Sequence, residues 1–132
     1  MKTINHIYQG DVNTQLKELE SNSIQCVVTS PPYWGLRDYG SDGQLGLEET
    51  PEEFVENLVE VFRGIKRVLK DDGTVWLNLG DSYASNQSSG DRVSKYSKKQ
   101  KTNIGKLGGG QKVPKGYKPK DLIGIPWRVA FA

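Results

Sequence analysis

The apolar positions of this chain repeat with two periods. Ile24-Gln25-Cys26-Val27-Val28-Thr29 is a near-continuous apolar run rich in β-branched residues, the pattern of a buried parallel strand. Thr74-Val75-Trp76-Leu77-Asn78-Leu79 repeats it and predicts a second buried strand. Between them Phe54, Leu58, Val61, Phe62, Ile65 and Leu69 recur at spacings of three and four, one apolar stripe of a helix over residues 51–69. Thr50 is placed as its N-cap, Pro51 as its first residue and Glu53 as the partner that completes a capping box. Lys66, Arg67 and Lys70 fall at its C-terminal end, where the helix dipole favours cations. Upstream, His6-Ile7-Tyr8-Gln9 reads as a short strand. Asp11 or Asn13 then caps a helix that carries Leu16 and Leu19 and ends near Ser21-Asn22-Ser23.

Strands joined by helices of this length imply an α/β fold with a parallel sheet and right-handed crossovers. Four interruptions organise the rest. Pro31-Pro32 stops the first strand, because proline donates no ladder hydrogen bond and fixes φ. Gly35, Gly40, Gly43 and Gly46 mark residues 35–50 as a loop, and Asp72-Gly73 marks a turn. Residues 84–120 are rich in Ser, Gly, Lys and Asn with few aliphatics, the composition of a mobile segment. Helical spacing resumes after Pro126, and the pattern is still running where the sequence stops. The expected division is 1–83, 84–120 and 121–132, with no internal repeats.

At 132 residues there is room for one ordinary domain. No apolar run approaches the roughly 20 residues that cross a bilayer, and the first residues lack a signal-peptide core. A cytoplasmic location without membrane contact is the expectation. One cysteine and one histidine exclude an internal disulfide and a structural zinc set, so no metal is expected. The net charge of +2 conceals an asymmetry. Residues 1–90 hold 7 basic and 14 acidic side chains, whereas residues 91–120 hold 10 basic and 1 acidic. An acidic body with one basic segment points to a polyanion contact through that segment, with Arg92, Lys95, Lys98, Lys99 and Lys101 as candidate DNA contacts. A solvated surface loop is the alternative reading.

In open α/β sheets, ligands bind outside the carboxyl ends of the strands. The first strand ends in Ser30-Pro31-Pro32-Tyr33-Trp34. With average residue usage, about one chain in a thousand of this length would contain Ser-Pro-Pro-Tyr by chance, so the motif is informative. Its chemistry suits a planar, amine-bearing ring. The prolines stiffen the backbone so that carbonyls point outward, Ser30 adds a hydroxyl acceptor, and Tyr33 offers a rigid face for stacking. An exocyclic amine held by two acceptors becomes a better nucleophile. The alternative is a rigid turn with Tyr33 and Trp34 as core cover.

These residues resemble the catalytic motif of bacterial and phage DNA amino-methyltransferases of the permuted β type, amino-terminal part. Gly10-Asp11 lies at the family's usual distance upstream, and Asp121 to Arg128 is similar to the stretch before its target-recognition region. The resemblance implies a Rossmann-like S-adenosylmethionine-dependent fold, here with an incomplete parallel sheet. It also implies methyl transfer to cytosine N4 or adenine N6 of double-stranded DNA, as in restriction–modification systems. Ser30 and the Pro31 carbonyl would accept from the target amine, with Pro32 stiffening the motif, and Tyr33 would stack on the flipped base. Gly10, Asp11 and Thr29 would bind the cofactor; for Asp11 a plain helix N-cap is the competing reading. Trp34, Asn78 and Asp81 are candidates to line the same pocket, with turn formation the alternative for Asn78 and Asp81. Ser at the first motif position favours cytosine N4 over adenine N6. Cys26 is expected to be a small core residue and not a nucleophile.

The family's Phe-x-Gly-x-Gly cofactor loop is absent, and Gly105 with Gly108-Gly109-Gly110 follow no apolar strand. The expectation is therefore a catalytic half, 1–83, followed by a basic loop and a truncated helix. Such a chain would be inactive alone, and would self-associate or take its missing half from a second chain. Two other classes remain in view. One is methyl transfer to an RNA or protein acceptor. The other is a non-catalytic nucleic-acid-binding module resting on the basic segment with Tyr96 and Tyr117.

Overall fold

The computed structural model describes residues 5–84 and 113–132. Five elements follow in order: α1 (Val12–Lys17), β1 (Ile24–Thr29), α2 (Pro51–Val68), β2 (Leu69–Leu77) and α3 (Ile125–Phe131). β1 and β2 pair in parallel as a two-stranded sheet with α2 between them in sequence, the β-α-β order that the apolar periods predict. The chain divides into two compact units, Met1–Thr29 with Val59–Leu77 and Ser30–Leu58 with Asn78–Ala132. No helix among the described residues is long and apolar enough to cross a membrane.

In the first unit, Asp11 caps α1. Its backbone is extended, and its Oδ1 accepts from the Thr14 amide at 3.0 Å, satisfying one of the orphan donors of a helix start. The helix is shorter than its apolar pattern and ends at Lys17 with Glu18 as C-cap. Arg67 gathers the carbonyls left over at that end. Its guanidinium donates to Leu16 O at 2.6 Å, Leu19 O at 3.1 Å and Ser21 Oγ at 3.0 Å. The amides of Asn22 and Ser23 then donate to Arg67 O and Val68 O, which brings the chain into β1 alongside the end of α2.

Four expectations for this unit need correction. His6–Gln9 forms no strand: Ile7 is 90% exposed, and no described strand offers that segment a ladder partner. Leu69 opens β2 and does not close the helix. The Asp72-Gly73 turn is a bulge within the strand, because the register steps from Ile24 opposite Leu69 to Cys26 opposite Thr74. The largest departure is burial. Val28 is 78% and Trp76 66% exposed, and Cys26, expected in the core, is exposed as a free thiol. Cys26, Val28, Thr74 and Trp76 share one face, since register partners point the same way and alternate residues share a side. An apolar parallel strand is buried on both faces only where layers cover both, and no described residue covers this one.

In the second unit, α2 begins with the capping box that its sequence predicts. The Glu53 amide donates to Thr50 Oγ1 at 3.2 Å, and the Thr50 amide donates to Glu53 Oε2 at 3.3 Å. Pro51, Phe54 and Leu58 are buried on its inner side. Segments 82–84 and 120–123 pair antiparallel, with Tyr83 bridged to Leu122, the Ala84 amide on Asp121 O at 2.8 Å and the Ile123 amide on Ser82 O at 2.9 Å. Val55, Trp34, Ala84, Ile123, Ile125 and Val129 complete the buried hydrophobic set described for this unit. The stretch 84–120, expected to be mobile throughout, thus has built ends. Ala84 is 2% exposed, and the Lys118 amide donates to Asp121 Oδ2 at 2.9 Å.

Candidate active site

Ser30-Pro31-Pro32-Tyr33-Trp34 opens the second unit, with Ser30 exposed, Pro31 to Tyr33 half-buried and Trp34 2% exposed. Burial of Trp34 anchors the motif, and both its polar ends are satisfied. Its indole N–H donates to Glu48 O at 3.0 Å, and its carbonyl accepts from Ser82 Oγ at 2.8 Å. Trp34 is therefore an interior anchor, closer to core cover than to a pocket lining. The glycine-marked loop folds back on the motif. The Gly35 amide donates to Gly46 O at 2.8 Å, and the Gly46 amide donates to Glu48 Oε2 at 2.8 Å. Gly46 has φ +96°, and a Cβ there would lie 2.9 Å from Tyr33 O and 3.3 Å from Pro32 Cβ. Only glycine allows both that backbone conformation and that approach.

Tyr33 is held through its ring as well. Its hydroxyl donates to Asn78 Oδ1 at 3.1 Å. Gly80 lies against the ring edge, where a Cβ would meet Cε2 at 2.7 Å and Cδ2 at 2.9 Å. The residues after β2 thus form the seat for the aromatic side chain of the motif. Asp81 is committed elsewhere. Its Oδ1 accepts from the amides of Ser82 at 2.8 Å, Gly124 at 2.9 Å and Ile125 at 2.9 Å, and its Oδ2 from Gly124 at 3.1 Å. It caps α3 from a distance in sequence, because Gly124 at the N-cap has φ +80° and no side chain with which to cap.

Gly10, Asp11 and Thr29 lie in the first unit. Thr29 pairs with Leu77 at the end of the sheet, and Gly10 is exposed with φ +141°. Asp11 Oδ1 also accepts from Thr14 Oγ1 at 3.2 Å, so the helix cap occupies this oxygen. Oδ2 has no partner among the described residues. One free carboxylate oxygen is an acceptor that fits the amine and hydroxyl donors of a nucleoside-bearing cofactor. Arg92, Lys95, Lys98, Lys99 and Lys101 lie outside the described residues, as does Tyr96. Tyr117 is described, and its hydroxyl accepts from the Arg128 guanidinium. Arg128 also donates to Ile123 O at 3.0 Å and pairs with Glu52 at 2.7 Å, which ties α3 to the start of α2 within this unit. Among the described residues no group of three or more His, Cys, Asp or Glu is placed to hold a metal ion.

Gly46, Glu48, Gly80 and Ser82 build the motif's surroundings and are not marked by the sequence reading. Gly46 looks like any other loop glycine there. Gly80 carries a faint signal as a glycine directly after an apolar strand, which often marks a close approach.

Comparison with known proteins gives a concordant picture. The profile of a family described as DNA methylase, covering N6 and N4 enzymes, matches residues 24–121. The type II methyltransferase M.SmaI of Serratia marcescens is 50% identical over 127 residues, 96% of this chain and 41% of the relative. M.XycI of Xanthomonas campestris pv. cyanopsidis is 52% identical over the same share of this chain and 40% of its own length. M.SfiI of Streptomyces fimbriatus is 42% identical over 96% of this chain and 26% of its own length. The chain therefore spans at most about two fifths of these curated relatives. No solved structure matches.

Proposed function

The chain belongs to the DNA methylase family, and from that premise we propose that it carries the target-base side of a site-specific DNA methyltransferase. The acceptor is the exocyclic amine of a base flipped out of double-stranded DNA, cytosine N4 in preference to adenine N6, and S-adenosylmethionine is the methyl donor. The observation that carries this reading is the fixed Tyr33 beside an exposed Ser30 and two prolines. Buried Trp34 holds this arrangement from below and Gly80 with Asn78 hold it from the side.

A flipped base needs a face to stack on and acceptors for its amine. Tyr33 supplies the face, and stacking of this kind contributes about 1–3 kcal/mol. The Ser30 hydroxyl and the Pro31 carbonyl supply two acceptors. Together they orient the nitrogen lone pair and raise its electron density. Gly10, Asp11 and Thr29 would hold S-adenosylmethionine, with the free Asp11 Oδ2 as the acceptor. When bound, that group supplies an electrophilic methyl. The direct neighbours β1 and β2, with α2 between them in sequence, support a Rossmann-like sheet of which the described residues provide two strands. The chain has no Phe-x-Gly-x-Gly loop. We therefore propose that the donor side needs polypeptide beyond residues 1–132, and that these residues alone transfer little methyl.

A chimera tests the proposal. Residues 1–132 would replace the matching 41% of the Serratia relative, and treated DNA would be digested and its nucleosides identified. N4-methylcytosine is the expected product. Stacking of about 1–3 kcal/mol corresponds to a loss of roughly 5- to 150-fold for Tyr33→Ala. An active chimera indifferent to both Tyr33→Ala and Ser30→Ala would overturn the assignment of the site. N6-methyladenine would overturn the base preference alone. Calorimetric titration of the isolated chain with S-adenosylmethionine tests the remaining point. Micromolar binding would show that the donor site is already complete.

A further inference from the structure

We infer that Asn78 and Gly80 are positioning residues that act through Tyr33 and do not touch the DNA base themselves. The inference rests on the reading that Tyr33 is the stacking surface. It departs from the sequence expectation that Asn78 lines the pocket, and sequence reasoning assigns Gly80 nothing.

Two contacts define the ring. An aromatic side chain on a fixed backbone retains two torsions, and a stacking surface is useful only when both are set. The Pro32–Tyr33 backbone is already packed against Gly46. The Tyr33 hydroxyl reaches Asn78 Oδ1 at 3.1 Å, which fixes the far tip of the ring and directs the only O–H donor of the side chain away from a ligand. Gly80 presents bare backbone to the ring edge. A single methyl there would lie 2.7 Å from Cε2, 2.9 Å from Cδ2 and 3.5 Å from Cζ. Separations that short force the ring aside, because Pro32 and Gly46 leave its backbone no room to follow. Asn78 and Gly80 are two positions apart on the segment leaving β2, so one short stretch sets both the tip and the edge of the ring. Asn78 Oδ1 accepts from no other described group, and Asn78 is itself exposed, which argues against a role in holding the core.

The test uses the full chain and two readouts. The first is the ring NMR spectrum of Tyr33, with the Trp34 indole N–H as folding control, since that group donates to Glu48 O in the same unit. Gly80→Ala and Asn78→Ala should shift the Tyr33 ring signals and leave the Trp34 indole signal in place. The second is quenching of a pyrrolocytosine-bearing single-stranded oligonucleotide. A ring displaced from its rotamer by about 30° corresponds to roughly a 2- to 12-fold loss of apparent affinity in each variant. In a Tyr33→Phe background, which has no hydroxyl to hold, Asn78→Ala should add nothing. Unmoved Tyr33 signals in both variants would overturn the inference whatever the probe does. Quenching that Tyr33→Ala leaves intact would overturn the stacking reading instead. Quenching lost with Tyr33→Ala but unchanged with Gly80→Ala and Asn78→Ala would leave stacking standing and remove the positioning role.

Discussion

Asp81→Ala isolates one tertiary cap, and its cost can be worked from the contacts. The carboxylate receives three backbone amides, of Ser82, Gly124 and Ile125, at 2.8–2.9 Å. Ile125 is fully buried and Gly124 half-buried, whereas Asp81 itself is exposed. Truncation leaves the Ile125 amide without an acceptor and without ready access to water. An unsatisfied buried donor costs about 1–3 kcal/mol, and loss of a helix cap costs about 0.5–2 kcal/mol. Both figures describe the same amides, so they are not summed, and the exposure of Asp81 places the result near 2 kcal/mol. Asp81→Asn keeps one acceptor oxygen and should cost about half as much. Urea denaturation followed by tryptophan fluorescence gives the global figure, and hydrogen exchange at the Ile125 amide gives the local one. A loss of about 2 kcal/mol corresponds to roughly 30-fold faster exchange in the regime where opening is at equilibrium. An alanine variant within about 0.5 kcal/mol of wild type, with Ile125 equally protected, would refute the cap.

Trp34→Phe should cost about 1–2 kcal/mol, because Glu48 O loses its donor, and Trp34→Ala about 3–5 kcal/mol from the cavity; chemical denaturation of the two side by side separates the hydrogen bond from the packing. Thr50→Ala should cost about 1 kcal/mol by removing one half of the capping box, and urea denaturation should show most of that loss persisting in a Glu53→Ala background, because the donor to Thr50 Oγ1 is the backbone amide of residue 53. Val28→Thr should change stability by less than about 0.5 kcal/mol, since the side chain is exposed and the substitution keeps β-branching; a loss of 2 kcal/mol measured by urea titration would show that this face is covered in solution.

Local signals in the sequence translated directly into structure. Asp11 caps a helix, Thr50 and Glu53 form a capping box, and Ile24–Thr29 is a strand with the bounds its apolar run predicts. Each of those features depends on neighbours a few residues away, so spacing alone determines it. Burial was not legible in the same way. The apolar residues of β1 and β2 show that these strands suit a covered sheet, but covering depends on other layers, and no described residue covers the face with Val28 and Trp76. His6–Gln9 fails as a strand for a related reason, because pairing needs a partner that a short apolar run cannot specify. The motif was visible as a tetrapeptide, while its support was not. Gly46, Gly80 and Glu48 are separated from Tyr33 and Trp34 by a dozen to nearly fifty positions, and Asp81 resembled a pocket residue because a carboxylate after a strand reads the same whether it faces a ligand or an amide.

The antiparallel tie between Ala84 and Asp121 has an evolutionary implication. It sets Ala84 beside Asp121 within the second unit, so positions 37 apart in sequence lie side by side. Closing a longer loop adds only about 0.6 kcal/mol for each doubling of its length. The number of residues between these two ends can therefore change in evolution while Asp81, Gly80 and Tyr33 keep their registration.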